Sequence, residues 1–207
     1  MKKLNIPFIK NRGSECGQAC VAMMIKYFKP NFEPDFDEFN KIIHHKNGMA
    51  TFPPQNAILL DHYGIKTMSY SSDSIMTSSE DFDQFRRWFG KDFDYEMKSV
   101  DLPSFDWMVK EFRSKKLFIQ KETTFEELID LFEQGFLVCI PINWNILNDK
   151  SGSYDGHFVI LTEVNNNKIL IHDPNTGPFV EYDSDLLKKS WELPPVADDF
   201  FVAFGLK

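Results

Sequence analysis

"GHFVILTEVNNNKILIHDPNTG", residues Gly156 to Gly177, carries the reading of the fold. Two apolar runs flank Asn165-Asn166-Asn167. Asparagine tolerates the left-handed backbone of a tight turn, so the stretch predicts a β-hairpin. Facing residues in such a hairpin keep a constant index sum, about 330 if the turn centres near Asn165, so His157 and Asp173 face each other with Cβ atoms roughly 5 Å apart. An imidazole held by a carboxylate at the open end of a hairpin is an oriented base. His172 points to the opposite face of the strand from Asp173, so the two do not join one site.

On both sides of the hairpin the texture is β-rich. "FLVCIPI" (136–142), "PFVEYD" (178–183) and "FFVAFG" (200–205) are short apolar runs between turn residues. Upstream the pattern is mainly helical, after a short edge strand over residues 3–9. Cys16 to Phe28 places apolar residues at 16, 19, 20, 23, 24 and 27, one buried helical face, and Pro30 stops it. Helices follow from about Asp35 to His44 and through "PPQNAILLDHYG" (53–64). Residues 65–78 read as a strand and a Ser-rich loop, and 79–116 carry two helical patterns. "TTFEELIDLFEQG" (123–135) is a helix with a Thr/Glu capping box and a Gly stop. Helices in one block and strands in another predict an α+β fold with an antiparallel sheet. The 207 residues suit a single domain, 1–207, in which residues about 65–120 are a helical insertion or an extension of the helical lobe. Phe accounts for 21 residues, which predicts an aromatic-rich core.

The net charge of −8 disfavours nucleic acid as a partner, because such binding needs a basic patch. Residues 73–106 hold nine acidic and four basic side chains, which read either as a solvated face or as a rim that attracts basic ligands. No apolar run has the roughly 20 residues of a membrane span. The opening "MKKLNIPFIKN" is too short and polar for a secretory signal, so the expected location is cytoplasmic, or outside by a route without a classical signal peptide.

Three cysteines rule out a complete disulfide framework. Cys139, inside an apolar run, reads as a small core hydrophobe. Cys16 opens its helix, where a thiol feels the positive end of the helix dipole and a nearby imidazolium favours the thiolate. Cys16 with His157 and Asp173 is therefore the candidate nucleophile-base-orienter set. Metal ligation by Cys16, Cys20 and His157 is the rival reading, but structural zinc sites bring a second close ligand pair that is absent here. We expect no metal and no cofactor. His44, His45 and His62 read as surface or helix-end residues.

"ECGQACVAMMIKYF" (15–28) resembles the nucleophile helix of papain-like cysteine peptidases. It is most similar to the bacteriocin-processing (double-glycine leader) peptidase group and its stand-alone relatives, with the motif Cys-Gly-x-Ala-Cys. "GHFVILTEV" and "KILIHDPNTG" resemble that group's His strand and Asp-Pro strand. The resemblance also covers "FEELIDLFEQGFLVCIPIN" (125–143), whereas residues 65–120 match nothing in it. It implies a papain-like fold, a helical lobe with the nucleophile helix packed against a C-terminal sheet. It implies Cys16 as nucleophile, His157 as base, Asp173 as the residue that orients it, and Cys20 as packing. The implied chemistry is thiolate attack on a carbonyl through a thioester, most simply by a peptidase on a peptide or protein substrate. Acyl transfer and deamidation by the same residues are the variants. The sequence departs from the group in one respect. The Gln usually found six residues before the nucleophile, a donor to the oxyanion, is Lys10 here. Asn11 and Gln18 are the other candidates, and the loss of the Gln leaves open a peptide-binding pseudoenzyme. Trp144 and Tyr154 flank the loop before His157 and are candidates for the substrate cleft.

Overall fold

The computed structural model describes residues 2–71, 82–150, 154–165, 167–192 and 199–207. The Ser-rich loop expected up to 78 and the start of the helical pattern at 79 lie outside these residues.

The helix α1 runs Cys16–Phe28, as its apolar spacing predicts, and buries every residue from Gly17 to Ile25. After it come α2 (Phe36–Ile42) and α3 (Pro53–His62). Asp35 caps α2 by accepting the N–H groups of Asp37 and Glu38. The strand β2 (Ile65–Ser71) leads into α4 (Phe82–Phe89), the short α5 (Phe93–Glu96) and α6 (Leu102–Lys115). A short strand, β3 (Phe118–Gln120), precedes α7 (Phe125–Gln134). The capping box of α7 forms on Thr124 and Glu127, and Gly135 ends the helix at φ 102°, a left-handed position that suits glycine. The chain then supplies β4 (Leu137–Asn143), the single turn α8 (Trp144–Leu147), β5 (Gly156–Asn165), β6 (Lys168–Asp173), β7 (Gly177–Asp183), α9 (Ser184–Glu192) and β8 (Phe200–Leu206).

The described strands form one sheet in the order β3-β2-β8-β4-β5-β6-β7, with the N-terminal pair of residues Lys2–Lys3 (β1) added beside β5. Every pairing is antiparallel except β2 with β3. The sheet is therefore not purely C-terminal, because the middle of the chain adds β2 and β3 at one edge. The expected edge strand over 3–9 is shorter than its apolar pattern. Leu4 still donates to Thr162, but Pro7 has no N–H for a ladder and the chain leaves the sheet.

The main core lies between α1 and the sheet and includes Met23, Met24, Phe132, Val159, Phe200 and Phe201, all fully buried. A second, smaller core joins α3 to α4 and α6 through Ala57, Ile58, Phe85, Phe105 and Phe112. Residues 82–117 thus extend the helical side with packing of their own. Among the described residues no helix is long and apolar enough to cross a membrane.

The hairpin register differs from the expected one. Asn165 pairs with Lys168, an index sum of 333 in place of 330, so the turn is centred one and a half places beyond Asn165. A bulge at Thr162 then shifts the ladder again, so that Leu161 pairs with Ile171 and Ile160 with His172. Extended along the strand, this register makes His157 and Asp173 diagonal neighbours rather than directly opposed ones. The bulge decides the chemistry available. A one-residue shift moves a side chain to the other face of a sheet, and without the extra residue His157 and Asp173 would point to opposite faces.

Candidate active site

Cys16 is the first residue of α1 and is partly exposed, although the eight helix residues after Gly17 are buried. The exposure follows from its position, where the helix emerges from the core at a loop. The preceding turn is held by charge. Glu15, 3% exposed, accepts hydrogen bonds from Arg12 and from Asn40 Nδ2, and Arg12 also pairs with Asp37. Gln18 belongs to this buried network, donating to Asn40 and accepting from Thr51.

His157 stands on β5 beside α1. Its Nε2 lies 2.7 Å from Oδ1 of Asp173, and the Cys16 side chain is close enough to help raise its pKa. A carboxylate acceptor at Nε2 leaves Nδ1 for the sulfur. Burial opposes charge on this imidazole, but the hydrogen bond to Asp173 and the nearby Cys16 outweigh it and push its pKa up to about 10. Asp173 is fully buried. Burial alone would raise its pKa, but the bonds from His157, the Thr176 hydroxyl and the Asn175 N–H hold it below the usual carboxylate range. The loop after β6 thus wraps Asp173 in an Asx-type turn and fixes the carboxylate that faces the ring. Trp144 packs edge-on to His157, with ring centroids 4.7 Å apart.

These groups open on a cleft of about 810 Å³, whose walls include Asn11, Cys16, Trp144, Tyr154, His157 and Asn175. Glu96, Asp155 and Asp199 also line it, with Lys98. One residue of the acidic stretch noted in the sequence, Glu96, therefore faces the cleft, where burial and the charges of Asp92 and Asp155 raise its pKa. Residues 73, 80 and 81 of that stretch lie outside the described residues.

The structure brings Cys16, His157, Asn11, Trp144 and Tyr154 to one cleft, with Asp173 fully buried behind His157. Lys10 is exposed and Gln18 is fully buried, and neither is among the lining residues. Cys20 and Cys139 are buried, and burial raises both thiols above the ordinary value. His45 corrects a surface reading, being 8% exposed with Nδ1 3.2 Å from the Thr51 hydroxyl. His172 anchors the N-terminal arm, with Nε2 2.8 Å from the Ile6 carbonyl. Among the described residues no group of three His, Cys, Asp or Glu side chains is placed to hold a metal ion.

Sequence reasoning missed two features of the site. Asn175 lines the cleft, and the signal was present in "DPNTG", where an Asx turn is expected. The other is Asn56, fully buried, whose amide packs on Gly17 and has no hydrogen-bond partner. A Cβ at position 17 would come within 2.6 Å of Asn56 Nδ2. Gly17→Ala is therefore expected to shift either Asn56 or the first turn of α1. Overpacking of this kind costs about 1–3 kcal/mol, and a misplacement of about 1 Å at a reacting atom costs about 10²-fold in rate. Alkylation kinetics of Cys16 and a urea melt measure both effects. Restored reactivity in Gly17→Ala/Asn56→Ala identifies the clash as the cause, and a Gly17→Ala protein equal to the parent refutes it.

The fold is that of the papain-like C39 peptidases. It is similar to a proposed C39-like peptidase from Bacillus anthracis, with a TM-score of 0.57, 14% identity and all of both chains covered. It is also similar to the peptidase domain of Streptococcus ComA, a bifunctional ABC transporter of a quorum-sensing pathway, with a TM-score of 0.55, 10% identity, and 97% of this chain and 98% of that one covered. No family model matches the sequence, and no curated protein matches it.

Proposed function

We propose that the protein is a cysteine-dependent acyl hydrolase, a peptidase in which Cys16 is the nucleophile, His157 the acid-base and Asp173 the residue that orients it. The observation that carries this reading is that Cys16 and His157 line one open cleft, with His157 hydrogen-bonded from behind by the buried Asp173. The Cys16 sulfur attacks a substrate carbonyl carbon, and the carbonyl electrons move onto oxygen. As the tetrahedral intermediate collapses, the C–N bond breaks and the His157 imidazolium gives its proton to the leaving amine. A thioester on Cys16 remains, and water activated by His157 hydrolyses it. Asp173 keeps the ring turned toward the sulfur throughout. Peptide or protein is the substrate this chemistry and the cleft size suit.

Incubation with a peptide library, followed by mass spectrometry of new termini, tests the reading. New cleavage products that vanish in Cys16→Ala support hydrolysis. Products joined to an added primary amine identify acyl transfer instead. The departure at Lys10 favours a second reading, a peptide-binding module without turnover. Retention of peptides with no new termini would establish that one.

A further inference from the structure

The usual oxyanion Gln is absent, and Lys10 in its slot does not line the cleft. The side chains around Asn11 indicate a replacement. Asn11 Oδ1 lies 3.0 Å from the Glu15 backbone N, a group that can only donate. Asn11 Nδ2 contacts the Gly13 carbonyl, a group that can only accept. Two backbone groups therefore fix which end of the Asn11 amide is oxygen and which is nitrogen. The same Nδ2 is 2.7 Å from the Asn175 side chain, so the end of Asn175 facing it is Oδ1. The Asn175 amino group is thus turned to the other side, where no described residue accepts from it, on a residue that lines the cleft with Cys16. Both loops are pinned. Asn11 N–H donates to the Pro174 carbonyl at 2.9 Å, and Asn175 N–H to Asp173 Oδ1 at 2.8 Å.

We propose that Asn175 Nδ2 is a catalytic residue, the side-chain donor to the oxyanion formed at Cys16, and that Asn11 is a positioning residue that sets its orientation. The inference rests on the peptidase reading above. An ordinary exposed amide flips freely in water, but this one is held with its donor end outward. Asn11 gives one amino hydrogen to Asn175 and the other to the Gly13 carbonyl, and has none left for substrate. The companion donor is the Cys16 backbone N–H, which at the first turn of α1 has no acceptor within the helix.

The test compares two reactions at the same sulfur in the full chain. With p-nitrophenyl acetate, the Cys16 thiolate attacks the ester carbon, an oxyanion forms, and the C–O bond breaks to release p-nitrophenolate and leave acetyl-Cys16. With iodoacetamide, sulfur displaces iodide at carbon and no oxyanion forms. Asn175→Ala and the isosteric Asn175→Leu are expected to slow acylation by about 10²–10³, while alkylation changes less than about twofold. Asn11→Asp, which turns a donor toward Asn175 into an acceptor, is expected to slow acylation selectively as well. Acylation at the parental rate in both Asn175 variants overturns the proposal, and so does an equal fall in both reactions. If Cys16 of the unaltered protein is acylated and alkylated no faster than a free thiol, the peptidase reading fails and the proposal with it. A reactive Cys16 with an indifferent Asn175 sinks the proposal alone.

Discussion

Iodoacetamide at neutral pH is expected to modify Cys16 and to spare Cys20 and Cys139. Access is the first reason, since Cys16 is partly exposed and the other two thiols are fully buried. Ionisation is the second. Burial disfavours the charged form of Cys20 and Cys139, and only the thiolate is a good nucleophile. Cys16 instead lies near an imidazole whose pKa is pushed up to about 10, so a cation stands beside the sulfur at neutral pH. His157→Ala removes that cation. A cation beside a thiol favours the reactive thiolate, so alkylation of Cys16 is expected to slow in His157→Ala. Acylation by p-nitrophenyl acetate starts from the same sulfur and expels p-nitrophenolate without a proton, so it is expected to slow along with alkylation. Peptide mapping after a timed pulse measures the first effect, and stopped-flow release of p-nitrophenolate the second. Equal labelling of all three cysteines, or a Cys16 rate indifferent to His157, would end the case for an activated nucleophile.

The same residues show what a sequence conveys about this fold and what it withholds. The α1 boundaries were legible because the apolar residues between 16 and 27 recur at helical spacing and Pro30 lies just beyond, although the helix is buried on every side and not on one face alone. The α7 helix was legible from both ends, through its capping box and Gly135. Local chemistry decided those elements. The hairpin was legible as a hairpin, but its register was not. The turn slipped by one and a half places and Thr162 was inserted as a bulge, and nothing in "HFVILTEV" distinguishes a bulged residue from a paired one. The expectation that His157 and Asp173 share a face agrees with the structure, although the direct opposition inferred from the turn does not. The middle region was the hardest to read. Its strands β2 and β3 join the sheet through partners distant in sequence, and Tyr70, for example, pairs with Phe200. Its helices pack on a second core whose members look, one by one, like any apolar residue. Asn175 escaped notice because its significance lies in the orientation of one amide, and that depends on Asn11, far away in the chain.

Asp173→Ala is expected to be the most destabilising single change at the site, and its cost depends on pH in a determined direction. Breaking a buried charged pair by removing one partner costs about 3–5 kcal/mol, and this carboxylate also holds the Thr176 hydroxyl and the Asn175 N–H. The folded-state pKa of Asp173 is depressed, so its contribution is full above the unfolded value of about 4 and is lost as pH falls through the lower folded value. The folded-state pKa of His157 is raised, so its contribution is full below the unfolded value of about 6.5 and is lost as pH rises through about 10. The pair therefore stabilises most between about pH 4 and 6.5 and fades above that as His157 approaches neutrality. Urea melts of the parent and Asp173→Ala at pH 6 and above pH 10 should show the larger gap at pH 6. Asp173→Asn separates charge from shape, because an amide can still accept from His157 through oxygen while its amino end faces the Thr176 hydroxyl. It should keep most of the stability and, with a peptide substrate whose leaving amine takes its proton from the His157 imidazolium, draw the alkaline limb of turnover down from about pH 10 toward neutrality, because the carboxylate that raises the His157 pKa is gone. A peptide-turnover profile with the same alkaline limb in parent and Asp173→Asn would show that the carboxylate does not set the charge on the ring.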